Sequence, residues 1–141
     1  MRGYNDMASD RADSRPLSPH LQIWRWHPTM ATSILHRATG IVNYVWVSAL
    51  ALWITYAAWS GDADFTALLS GWEAVIAYLL IFGALVSIAF HFFNGIRYLF
   101  WDSGKGFTPS LASKISLFNI IAGFGVGIAA FVWFLIASGA L

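Results

Sequence analysis

Hydrophobic positions fill three long blocks of the chain, and charged positions fall between them. Ala38 to Gly61 is a run of 24 residues without a charge. Ala74 to Ile96 is a run of 23, interrupted by one histidine, His91, and Ile115 to Leu141 is a run of 27. A helix rises about 1.5 Å per residue, so roughly 20 residues cross a hydrocarbon core of about 30 Å. Each block is long enough. Lipid offers the backbone no hydrogen bonds, so each block must form a helix, and the short alternating segments of a membrane β-barrel do not occur. The pattern predicts an all-α membrane protein with three transmembrane helices, over about 33–60, 73–101 and 113–138. Residues 1–19 read as a flexible polar tail and 20–141 as the membrane domain.

Composition narrows the class further. Of 141 residues 58% are hydrophobic and 11% charged, against about half and a quarter in soluble domains. The net charge of +1 and the lack of a basic run argue against nucleic acid as a partner. With no Cys, disulfides and thiolate metal sites are excluded.

The cations set an orientation. Arg2, Arg11, Arg15, Arg25 and Arg37 precede or enter the first span, and Arg97, Lys105 and Lys114 surround the second loop. The first loop carries Asp62, Asp64 and Glu73. The positive-inside rule then puts the N-terminus on the cytoplasmic (or matrix) side and the C-terminus on the periplasmic (or intermembrane) side. Trp59 and Trp72 suit the outer interface, and Trp24, Trp26 and Trp101 the inner one. The first 20 residues hold Asp6, Asp10 and Asp13 and lack the apolar stretch of a signal peptide.

Ionisable groups in lipid need a reason. His91 lies six residues before Arg97, roughly 9 Å deeper along the axis. Gly83, Ser87, His91 and Gly95 recur every fourth residue, forming a small-residue stripe with one imidazole on it. Two readings fit this stripe. A neighbouring helix could pack closely on it with His91 bonding across. Alternatively, a porphyrin could lie in the slot with the imidazole reaching its iron. Spacing alone favours the first. If the second holds, the opposite ligand comes from another chain, because His36 is a poor intramolecular candidate beside Arg37 at the interface.

Ser33 and Arg37, four apart, share a helix face. Together they could hold a polar carbonyl or phenol head whose tail lies in lipid, with Trp26 and Met30 as an apolar wall. Taken singly, Arg37 fits interfacial anchoring to headgroups better. His36, beside Arg37, reads either as a donor to haem propionates or as a hydrogen-bonded interfacial histidine. Gly123 and Gly127 are a small-xxx-small pair that favours helix packing. No Ser-His-Asp or paired-carboxylate set points to catalysis by this chain alone.

Four motifs, in order, closely resemble one family. They are Arg15-Pro16-Leu17-Ser18-Pro19-His20, then Ser33-Ile34-Leu35-His36-Arg37-Ala38-Thr39-Gly40, then His91-Phe92-Phe93-Asn94-Gly95-Ile96-Arg97-Tyr98, and Trp101-Asp102-Ser103-Gly104-Lys105-Gly106. The likeness, over about residues 15–135, is to the cytochrome b subunit of succinate dehydrogenase, the large membrane anchor of respiratory complex II. The resemblance implies haem b shared with a second small anchor subunit, with His91 as an axial ligand of its iron. It implies a ubiquinone site lined by Ser33 and Arg37, with Trp26, Met30 and Ile34 as wall, and haem propionates near His36, Arg37 and Arg97. The partners implied are that second anchor, an iron–sulfur subunit and a flavoprotein, in a bacterial inner membrane or alternatively a mitochondrial one. Many relatives carry His where this chain has Tyr98.

Succinate would be oxidised on the flavoprotein, so this chain is not catalytic by itself. Three other readings stand beside this one. The anchor of a fumarate reductase would run the chemistry in reverse. A haem-free anchor would only tether. A transporter component would show discontinuous helices or several charges near the midplane, whereas here the charges gather at one interface.

Overall fold

The computed structural model describes residues 25–61, 69 and 71–140. The polar tail, the Arg15–His20 motif, Trp24 and the first-loop acids Asp62 and Asp64 lie outside the described residues, as does the side chain of Glu73. The described residues form three helices: α1 (Pro28–Ser60), α2 (Glu73–Asp102) and α3 (Pro109–Ala137). All three are long and apolar enough to cross a membrane.

Two helices begin upstream of the expected span edges. Both α1 and α3 open on a proline, Pro28 and Pro109, after an extended residue, His27 and Thr108. Proline presets the helical φ, and its missing N–H costs nothing in the first turn. The charge-free blocks therefore understate these helices, which continue into the polar flanks. Helix α1 stops at Gly61, whose φ of 73° lets its N–H bond back to the carbonyl of Ala57 at 3.1 Å.

Much of the interior is polar, beside Phe90 and a few alanines, and the surface is apolar. Fully buried side chains include Thr32, Asn94, Arg97 and Ser116, with Asn119 nearly so. Large apolar side chains such as Ile41, Leu52 and Trp133 are exposed. In lipid the tails are as apolar as leucine, so contact between helices is driven by close packing and by polar groups hiding from hydrocarbon.

Helix α3 lies on α2 through Gly123 and Gly127. A Cβ at Gly123 would stand 2.7 Å from Phe90 Cα, and one at Gly127 2.6 Å from Val86 Cα. Gly125, between them, meets nothing within 4 Å. Helix α1 runs antiparallel to α2: Thr32 meets Asn94 and Arg97, His36 meets His91, and Asn43 meets Ser87.

Candidate functional site

The stripe on α2 faces α1 along most of its length. Ser87 Oγ donates to Asn43 Oδ1 at 2.7 Å. Gly95 lies under His36, where a Cβ would stand 3.9 Å from the imidazole Cε1, while Gly83 meets nothing within 4 Å. The slot beside His91 is thus filled on one side by α1.

His91 is held tightly. Its ring stacks on that of His36 with centroids 3.9 Å apart and planes 14° from parallel. Its Nδ1 lies 3.2 Å from the backbone oxygen of His36 and 3.2 Å from Thr39 Oγ1. Thr39 already donates its hydroxyl hydrogen to the carbonyls of Leu35 and His36, so Nδ1 carries the proton that the His36 carbonyl accepts. Nε2 is then the basic nitrogen, and it makes no hydrogen bond among the described residues. A carbonyl on one ring nitrogen is the ordinary way of fixing the other as a metal ligand.

Beside this ring is an open groove of about 550 Å³, lined by His36, Arg37, Gly40, Ile41, Tyr44 and His91. Gly40 is essential to its shape, because a Cβ there would lie 3.1 Å from His91 Cε1. Among the described residues no group of three His, Cys, Asp or Glu could hold a metal ion. An iron at His91 would need its remaining ligands from outside the described residues. The imidazole tautomer, the apolar groove and Arg37 at its margin suit a flat apolar macrocycle with anionic substituents.

Ser33 and Arg37 are joined on α1, where Arg37 Nε donates to the carbonyl of Ser33 at 3.3 Å. Both Nη groups of Arg37 make no hydrogen bond among the described residues, and the side chain is exposed. Met30 and Ile34 on this helix, and Trp26 just before it, are also exposed. Arg37 borders the groove, whereas Ser33, Trp26, Met30 and Ile34 are not among its lining residues.

Arg97 does not line the groove either. It is 2% exposed and sits where the three helices meet. One Nη donates to Thr32 Oγ1 at 2.6 Å and to Ser116 Oγ. Asn94 Nδ2 donates to the carbonyl of Thr32 at 3.1 Å, and Asn119 Nδ2 to Asn94 Oδ1 at 3.4 Å. The guanidinium stacks over Trp101 at 4.5 Å from the ring centroid. Its Nε and second Nη are buried without a hydrogen-bond partner among the described residues.

Sequence reasoning missed Thr32, Asn94, Ser116 and Asn119 as a polar knot. A signal was present on α3, where the buried residues Ala112, Ser116, Asn119, Gly123 and Gly127 recur at spacings of three and four. In a lipid-facing helix, small and polar residues mark the inner face. Gly40 was missed as well. It stands to His36 as Gly95 stands to His91, four residues on in each helix.

Known proteins resemble this chain over most of its length. Residues 11–132 match the family described as succinate dehydrogenase/fumarate reductase transmembrane subunit. The chain is 38% identical over 103 residues to the mitochondrial succinate dehydrogenase cytochrome b560 subunit of Sus scrofa, covering 72% of this chain and 61% of that protein. It is 40% identical over 98 residues to the cytochrome b556 subunit of Rickettsia bellii, covering 68% of this chain and 74% of that protein. The cytochrome b556 subunit of Paracoccus denitrificans is 31% identical over 112 residues, covering 78% and 84%. The alignments with the mitochondrial relatives from Sus scrofa and Bos taurus span about three-fifths of their length. The match over most of the chain means that this chain, with its three membrane-length helices, belongs to the succinate dehydrogenase/fumarate reductase transmembrane subunit family.

Proposed function

We propose that this chain is the membrane-anchor cytochrome b subunit of a succinate:quinone oxidoreductase in a bacterial inner membrane. It binds haem b together with a second small anchor and contributes part of a ubiquinone reduction site. An iron–sulfur subunit and a flavoprotein complete the complex. The N-terminus and the α2–α3 loop face the cytoplasm. Support for that side comes from Arg37 and Arg97 with Lys105 and Lys114, all at the same end of the bundle.

The observation that carries the reading is the seating of the His91 ring against the backbone of α1. Its Nδ1 is occupied by the His36 carbonyl, which leaves Nε2 basic beside the groove. Haem bound there supplies a one-electron redox centre. His91 holds the iron, and His36 and Arg37 meet the propionates. Arg97 lends a fixed buried charge from behind, at the level of Thr32. Ser33 and Arg37 face the quinone head. A guanidinium in a low-dielectric site favours negative charge growing on a carbonyl oxygen more than it would in water. Trp26, Met30 and Ile34 give the head and tail an apolar wall.

A second reading, a haem-free anchor, draws on the packing of Ser87 and Gly95 against α1. One experiment separates the two. The complex is purified from its native membrane in mild detergent, its absorption spectrum is recorded and its companion chains are identified. A low-spin haem b spectrum with three companion subunits supports the proposal, and a colourless preparation or a solitary chain refutes it.

A further inference from the structure

Tyr98 stands between the haem groove and the quinone face. Its ring is tilted against His36 at 4.9 Å between centroids and meets Trp101 edge-on at 5.6 Å. With neighbours on both sides the phenol cannot swing freely, and its hydroxyl donates to Ser33 Oγ at 3.3 Å.

Ser33 differs from the threonines around it. Within a helix, Ser and Thr hydroxyls commonly donate to a carbonyl three or four residues back. Thr32, Thr39 and Thr55 on α1 all do so. Ser33 Oγ does not: among the described residues its one hydrogen bond is the one it accepts from Tyr98. A hydroxyl that accepts one bond still has a hydrogen to give. The serine is half-buried, so that hydrogen is available to an acceptor from outside the chain. The neighbouring Arg37 is arranged alike, with Nε spent on the Ser33 carbonyl and its Nη groups unspent. Ser33 and Arg37 thus present donors and no free anion, a pair that selects a ligand with a carbonyl or phenolate oxygen.

We propose that Tyr98 is a positioning residue for quinone binding. Its hydroxyl keeps Ser33 Oγ from turning back onto its own helix and polarises it, so that Ser33 donates to a quinone carbonyl. This rests on the reading of Ser33 as part of the quinone site. The same phenol ring leans on His36, which lines the groove, so one side chain ties the two sites together.

The test is a double-mutant cycle in the complete membrane complex. Tyr98→Phe, Ser33→Ala and the double variant are compared for reduction of a short-chain ubiquinone analogue by succinate. Dye-coupled succinate oxidation and the haem spectrum check that each complex has assembled. Tyr98→Phe keeps the ring and loses only the hydroxyl. It is expected to raise KM for the quinone analogue by about 5-fold, the size of one net hydrogen bond, with a smaller change in kcat. Ser33→Ala is expected to raise KM at least as much, and the double variant to match Ser33→Ala alone. An unchanged KM in Tyr98→Phe, or effects that multiply in the double variant, overturns the positioning role. An unchanged KM in Ser33→Ala removes Ser33 from the quinone site and overturns both statements together.

Discussion

His36 and His91 lie ring on ring, 3.9 Å apart between centroids, and each covers a glycine of the other's helix. His91 rests against Gly40 of α1, and His36 against Gly95 of α2. The two antiparallel helices therefore present the same short pattern, a histidine followed four residues later by glycine, and the patterns interlock. Two flat rings fill the space that two missing side chains leave. The stack stops the His91 ring from turning, and the His36 carbonyl selects its proton position. An imidazole seated this way would be oriented as a ligand before any iron arrived.

His91→Leu in the assembled complex is expected to abolish the low-spin haem spectrum, and an unaltered spectrum would remove His91 as ligand. Gly40→Ala is the subtler probe. Its added Cβ would come within 3.1 Å of His91 Cε1, so the ring or α1 must give way. A shifted Soret band or haem midpoint potential is the expected outcome, read by redox titration.

Arg37 is exposed, tied to the helix by Nε and otherwise unspent. Arg37→Ala should therefore reduce quinone reduction strongly without unfolding the chain. Losing a charge-assisted hydrogen bond of about 1.5–3 kcal/mol corresponds to a fall of roughly 10- to 100-fold in kcat/KM. Succinate oxidation coupled to an artificial dye should remain near normal, because the proposed complex would carry out that step on its flavoprotein subunit. Equal loss of both activities would count against the site.

The two glycines of the α2–α3 contact should be intolerant, and their neighbour tolerant. A Cβ at Gly127 meets the backbone of Val86 at 2.6 Å, and backbone cannot move aside cheaply. Gly127→Val should destabilise the bundle by about 1–3 kcal/mol or more, as overpacked cores do. Gly125→Val, which meets open space, should leave the melting temperature in detergent nearly unchanged. Similar melting of the two variants would show that the helices do not meet along this line.

Orientation rests on the arginines and lysines alone. A reporter fused to the N-terminus should be protected from periplasmic reagents, and one fused to the C-terminus should be accessible to them. The reverse pattern would refute the topology.

The number of spans was legible because one physical constraint dominates: long charge-free blocks in lipid must close their own backbone hydrogen bonds. The helix starts were less legible, since Pro28 and Pro109 begin helices inside polar flanks that the charge pattern leaves out. His91 drew notice as an imidazole far from water. The family resemblance sets Arg97 near the propionates, and nothing in the spacing of Asn94-Gly95-Ile96-Arg97 tells that its side chain turns inward to Thr32 and Ser116. The stacking of His36 on His91 is not legible in the sequence, because the two rings are 55 positions apart.

By itself the sequence determined that the chain is a three-helix membrane protein, and its motifs pointed to the family. The tertiary structure alone decided which faces meet. A soluble helix announces its inner face by an apolar stripe, but here both the lipid side and much of the helix contact are apolar. The inner face is marked instead by a few small and polar residues whose partners lie on other helices. Bringing Gly40 under His91, Tyr98 onto Ser33 and Arg97 between Thr32 and Ser116 requires knowing how three rods cross, and the order of residues along any one of them does not contain that.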